Sequence, residues 1–198
     1  MSRNLCSLYI VDDEEPVLES MAFMLESYGY KVETFSSGID FLNEVNLSAP
    51  GCVLLDSRMP DMRGQDVHQM MNEKLSPISV IYLTGHGDIP MAVDALKDGA
   101  LDFFQKPVDA NALVIAVDDA MAQSLKNGDK LGAKQVLQSL TKREREVLGL
   151  VVKGMKNQEM ADLLCVSLRT IEVHRSNVMK KLEAESLAVL IHKVGHLI

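Results

Sequence analysis

The chain has 198 residues, enough for one sizeable core and a smaller one given domains of roughly 100–150 residues, and its 47% hydrophobic and 24% charged content is ordinary globular composition. No apolar run approaches the ~20 residues a membrane helix needs, and Met1–Cys6 leads straight into a strand-like run, so neither a membrane span nor a secretion signal is expected and the expected address is cytoplasmic. The formal charge of −8 is segregated: residues 1–122 carry 7 Lys/Arg against 20 Asp/Glu, residues 123–198 carry 13 against 8, and a basic module on an acidic partner suits controlled phosphate-backbone binding, although a positive surface is equally a solvated one.

Along residues 1–108, short β-rich apolar runs alternate with longer stretches of helical period, the pattern of a parallel sheet covered by helices. Strands are expected at Ser7–Val11, Lys31–Phe35, Cys52–Leu55, Ser79–Leu83 and Asp102–Gln105, and helices near 16–28, 37–46, 64–75 and 89–98, with a fifth starting near 109. Gly29 and Gly99 stand just past two helices, where a left-handed residue is wanted. The polar, Lys/Gly-containing stretch from Ala122 to Gln138 reads as a helix end followed by a flexible or partly helical linker. Organisation is therefore expected as 1–122, a linker over 123–136, and a second domain over 137–198. In that second domain Thr141-Lys142-Arg143-Glu144 fits a capping box, and helices are expected at 141–153, 157–164, 167–182 and 186–194.

Ligands of an open parallel sheet bind at the carboxyl ends of its strands. The first predicted strand ends in Asp12-Asp13, the third in Asp56, the fourth in Thr84 and the fifth in Lys106-Pro107. Three carboxylates converging at one edge repel one another unless a cation lies between them, and hard oxygen ligands predict Mg²⁺. Lys106 as a point charge and Thr84 as a hydroxyl donor suit a tetrahedral phosphoryl group, which makes Asp56 the nucleophile of an aspartyl phosphate. Each of these residues alone is more simply a loop residue.

Taken together, the strand with VDDEEP, LLDSRMPDMRG, YLTGHGDIP and GALDFFQKP resemble, in order and spacing, the receiver domains of bacterial two-component response regulators, over residues 5 to about 122 and with wording of the FixJ type. The resemblance implies an α/β doubly wound five-stranded parallel sheet of flavodoxin/CheY-like order 2-1-3-4-5. It further implies Mg²⁺ held by Asp13, Asp56 and the backbone carbonyl of Arg58, with Asp12 acting through water. Thr84 and Lys106 would hold the phosphoryl oxygens, Lys106-Pro107 would be cis, and Phe103 would be the aromatic switch partner of Thr84. Val108 stands where many members have Phe.

Gly154–Ala161, followed by Val166-Ser167 and the run from Thr170 to His174, gives two helices joined by a short turn, a helix-turn-helix at about 157–176 within a small all-α domain. Ser167 can cap the second helix, with Leu168, Ile171, Val178 and Leu182 on its buried side. An ordinary helical bundle with a solvated charged face explains the same pattern. The wording L-T-x-R-E-x-E-V-L over 140–148 and SLRTIEVHRSNVMKKL resembles the LuxR-type DNA-binding domain of FixJ and NarL regulators. That resemblance implies that the helix over 167–182 enters the major groove, with Thr170, Glu172, Val173 and Ser176 at or near bases and Arg169, Arg175, Lys180 and Lys181 on phosphates.

The function so implied is a phosphorylation-dependent transcription regulator: a sensor histidine kinase as donor, homodimerisation on activation, promoter DNA and RNA polymerase as partners, no membrane, and no catalysis beyond its own phosphorylation and slow dephosphorylation. An aspartate-nucleophile phosphatase would carry a second acid two residues after the nucleophile, where Arg58 stands. A regulator independent of phosphate would not need the set Asp12, Asp13, Asp56, Thr84 and Lys106. The three cysteines and twelve methionines read as core residues, and the five histidines (68, 86, 174, 192, 196) include no metal-ligand pair.

Overall fold

The computed structural model describes residues 6–85 and 89–195, without the side chains of 89–91; His86, His196 and part of the YLTGHGDIP wording lie outside the described residues. The chain divides into two compact units, Met1–Gly128 and Asp129–Ile198.

In the first unit β1 (Ser7–Val11), β2 (Val32–Phe35), β3 (Gly51–Asp56), β4 (Ser79–Thr84) and β5 (Asp102–Gln105) form one parallel sheet of order β2-β1-β3-β4-β5. Central parallel strands are covered on both faces and so need unbroken apolar runs: all six residues of both β3 (GCVLLD) and β4 (SVIYLT) are buried, whereas edge strands β2 (VETF) and β5 (DFFQ) are partly exposed. The two-residue period sorts the side chains into two layers. On one face Leu8, Ile10, Leu54 and Ile81 pack with residues of α1 (Glu15–Ser27) and α5 (Ala110–Ser139). On the other, Tyr9, Val53, Leu55 and Tyr82 pack with α2 (Gly38–Glu44), α3 (Gly64–Glu73) and α4 (Ile89–Lys97). Gly29 and Gly99 have φ of 85° and 100°, the left-handed conformation expected where these two helices end.

The expected helix end near 122 is not observed: α5 runs as one helix to Ser139. Most residues of 123–136 are good helix formers, and tertiary contacts hold the stretch. The Ser124 hydroxyl accepts from Gly51 N at 2.8 Å and donates to the Pro77 carbonyl at 2.7 Å, at the starts of β3 and β4. Polar composition had suggested a linker, but this serine is fully buried.

The second unit holds α6 (Lys142–Val152), α7 (Asn157–Leu164), α8 (Leu168–Lys181) and α9 (Leu187–Val194) around a core that includes Leu148, Met160, Ile171, Val178 and Leu190. The capping box forms, Thr141 N donating to Glu144 Oε2 at 2.8 Å and Glu144 N to Thr141 Oγ1 at 3.2 Å. Between α7 and α8 the chain turns through Cys165 at φ 52°, and the Ser167 hydroxyl caps α8 by accepting from Thr170 N at 3.1 Å. Ile171, Val178 and Leu182 are buried as expected; Leu168, the first residue of α8, is instead 41% exposed.

Candidate functional site

The switch in chain direction at β1 and β3 leaves their carboxyl ends open, and there the structure joins residues far apart in sequence. Lys106, just past β5, places its Nζ 2.5 Å from Asp12 Oδ2 and 2.8 Å from Asp56 Oδ1, with Glu14 Oε1 at 4.0 Å. The other carboxylate oxygens take backbone donors: Glu14 N to Asp12 Oδ1 at 3.1 Å and Arg58 N to Asp56 Oδ2 at 2.6 Å. Asp12 is fully buried and Asp56 is 6% exposed. Burial pushes the Asp12 carboxyl above its usual range even though the Lys106 ammonium and the Glu14 amide oppose it. Burial works the other way on Lys106, but hydrogen bonds to Asp12 and Asp56 and their charge outweigh it and hold the ammonium above its ordinary value.

Thr84 closes β4 with its side chain buried, and its carbonyl accepts from Lys106 N at 2.8 Å. The Lys106-Pro107 bond is cis. Phe103, in β5, is half-buried against the Tyr82 layer. Three carboxylates were expected to converge, and two do: Asp13, whose side chain follows the buried Asp12, is exposed to solvent. Lys106 bridges the remaining pair, and among the described residues no three acidic, His or Cys side chains come close enough to hold a metal ion. The donor set still fits Mg²⁺ in kind. It is all oxygen, and two bridged carboxylates exceed the single lysine charge between them.

Two motif residues at this edge have structural roles that the sequence does not assign. A Cβ on Gly64 would fall 2.3 Å from the Asp56 carbonyl oxygen, so only glycine lets the chain return this close to the end of β3. Tyr82 reads as one more apolar strand residue, yet its hydroxyl donates to the Gly64 carbonyl at 3.3 Å and lies 3.3 Å from His68 Nδ1. Burial holds the His68 pKa below its ordinary value, and its Nδ1 lies within hydrogen-bond distance of the same hydroxyl. A buried polar side chain reveals itself only when its partner is in view.

In the helical unit, α8 presents Arg169, Glu172, Val173, Ser176 and Lys180 to solvent. Thr170 is half-buried and shares a 2.8 Å hydrogen bond with the Ser167 hydroxyl. Two of the expected phosphate contacts are engaged inside the unit: Arg175 Nη1 donates to Asn157 Oδ1 at 2.7 Å, at the start of α7, and Lys181 Nζ pairs with Glu144 Oε2 at 2.7 Å. His174 is half-buried on the same helix.

A doubly wound parallel sheet with an Asp–Lys–Asp cluster at its carboxyl edge, joined to a helix-turn-helix unit, defines the class of phosphoacceptor-type regulators that bind DNA. The chain belongs to the two-component response regulators: residues 8–118 match the response regulator receiver domain and residues 138–194 match the bacterial regulatory proteins of the luxR family. It is similar to the tetrathionate response regulatory protein TtrR of Salmonella typhimurium, with 43% identity over 189 residues, 96% of this chain and 92% of that protein. The transcriptional regulatory protein FixJ of Rhizobium meliloti is 41% identical over 189 residues, 93% of each chain. Among solved structures, response regulator StyR superposes with a TM-score of 0.71 at 36% identity, covering 96% of this chain and 98% of that one. Full-length FixJ from B. japonicum superposes at 0.55 with 32% identity and 96% coverage of each.

Proposed function

We propose that this regulator accepts a phosphoryl group on Asp56 from a sensor histidine kinase in the cytoplasm, dimerises, and then binds promoter DNA through α8, with RNA polymerase as the downstream partner. The observation that carries the reading is the place of Asp56: an acceptor at a strand end, 6% exposed, with a lysine 2.8 Å from one oxygen and a backbone amide on the other. An Asp56 carboxylate oxygen attacks phosphorus, the bond from phosphorus to the donor breaks, and the donor leaves with its electron pair. Lys106 supplies positive charge at the oxygens of the transferring group, and the Thr84 hydroxyl is the proposed second donor there. Mg²⁺, when bound, would be held by Asp13, Asp56 and the Arg58 carbonyl, with Asp12 through water, and would neutralise charge on the phosphoryl oxygens.

Arg58 offers no carboxylate to activate water, which favours a slowly decaying signal over turnover, so the chain is read as a switch and not as an enzyme with a separate substrate. One small helical module makes few phosphate contacts, and pairing two raises affinity through effective concentration. The test is to treat wild type and Asp56→Asn with acetyl phosphate and Mg²⁺, then to measure intact mass, oligomeric state and binding to duplexes selected from a random pool. The wild type should gain one phosphoryl mass, dimerise and bind more tightly, and Asp56→Asn should do none of these. Identical behaviour of the two proteins overturns the reading.

A further inference from the structure

Lys181 enters from the sequence as a phosphate contact, but the structure gives it another partner. Its ammonium lies 2.7 Å from Glu144 Oε2, and the Glu144 side chain is only 5% exposed. The same oxygen accepts from Thr141 N at 2.8 Å. One residue further on, Arg145 Nη2 donates to the carbonyls of Leu140 at 3.0 Å and Gln138 at 3.4 Å, where α5 ends. These bonds join three pieces of chain: the end of α5, the first turn of α6 and the last turn of α8.

For Lys181 to reach a DNA phosphate it would have to leave Glu144, and a buried carboxylate would lose its charge partner. The pair is buried on the Glu144 side and open on the Lys181 side, whose side chain is 38% exposed, so the cost of separation falls on the carboxylate. Geometry gives the pair a different use. Lys181 lies eleven residues beyond Thr170 on α8, about 16 Å at 1.5 Å per residue. A tilt of about 5° about the C-terminal end of α8 would therefore move its base-reading end by roughly 1.4 Å, enough to break hydrogen bonds confined to a window of 2.7–3.2 Å.

We propose that Glu144 and Lys181 are positioning residues that fix the C-terminal end of α8 to the α5–α6 junction, so that Lys181 contributes aim and not charge to DNA recognition. This rests on the reading of α8 as the helix that meets DNA. Both Lys180 and Lys181 are exposed on the last turn of α8, and what separates them is the partner that Lys181 has in Glu144.

The experiment uses the full chain, activated with acetyl phosphate, and two probes: a duplex selected by the wild type from a random pool and a duplex of scrambled sequence, each titrated over a range of salt. Lys181→Gln and Glu144→Gln should each weaken the selected duplex about tenfold, leave the scrambled duplex within about twofold, and keep the slope of log K against log salt at the wild-type value. The double variant should fall no further than either single one, and Lys181→Arg, which can still reach Glu144, should restore binding. Lys180→Gln, as the control, should weaken both duplexes and reduce the slope by about one.

If Lys181→Gln behaves like Lys180→Gln, Lys181 is a phosphate contact and the proposal fails. It fails equally if the variants lower thermal stability and leave both duplexes bound as tightly as before. Should Glu144→Gln not fold, Lys181→Gln and Lys181→Arg decide the matter alone. A wild type that binds neither duplex instead overturns the DNA-binding reading itself.

Discussion

In the N-terminal unit the Asp–Lys–Asp cluster draws on residues 50 and 94 positions apart, Lys106 reaching Asp56 and Asp12 from the far end of the sheet, whereas the candidate DNA contacts all come from the fourteen residues of α8. The first site is buried and charge-coupled, and each member depends on the others. The second is mostly exposed and its members act almost separately, apart from the two that the unit uses to hold itself together. A buried cluster assembled by tertiary structure should fail all at once; a helix face should fail by degrees.

The sharpest way to break this comparison is Lys106→Met. Removal of one preorganised charged donor from a reacting site costs about 10²–10³ in rate, so phosphoryl incorporation from acetyl phosphate, followed by intact mass, should fall by at least about a hundredfold. A loss below tenfold would mean that the cluster is not coupled. Next in size is Ile171→Ala, which empties a fully buried position of the helical core and should cost about 2–5 kcal/mol. Hydrogen exchange should show protection lost over 140–195 and kept over 6–122; loss in both would show that the two cores do not stand separately.

A smaller effect separates two glycines of α5. Gly132 has nothing within 4 Å of a built Cβ, so Gly132→Ala should stabilise by about 1 kcal/mol through helix propensity. Gly128→Ala offers the same propensity, but its Cβ would meet Pro50 Cγ at 2.8 Å, so its gain should vanish or reverse in thermal unfolding.

Acidification should sharpen the comparison last. His68 is held below its ordinary value of 6.5 by burial, so the unfolded chain binds a proton more readily. Its contribution is complete above about pH 6.5 and is lost as pH falls below that, weakening the N-terminal unit first. Glu144 is held below 4.5 by the Lys181 hydrogen bond and then by the Thr141 amide. Its contribution is present above 4.5 and is lost only as pH falls through its lower folded value. Unfolding curves between pH 7 and pH 4 should therefore show the first unit responding earlier, and His68→Gln should remove the difference.

Strand positions, helix positions other than the end of α5, the two glycine stops, the Thr141–Glu144 box and the Ser167 cap were legible in the sequence, because period, turn chemistry and caps act between residues a few positions apart. So was the meeting of Asp12, Asp56, Thr84 and Lys106 at one sheet edge, since parallel strands bring their carboxyl ends to the same side. What the sequence could not rank were residues of one type at neighbouring positions. Asp12 is buried on Lys106 while Asp13 faces solvent, and of the two exposed lysines that end α8 it is Lys181 that pairs with Glu144. Nor could polar composition reveal that Ser124 would be buried between the starts of β3 and β4 and carry α5 past residue 122. Local patterning decided the elements and their order; burial and charge pairing depend on which distant groups arrive within about 3 Å, and only the tertiary structure decided that.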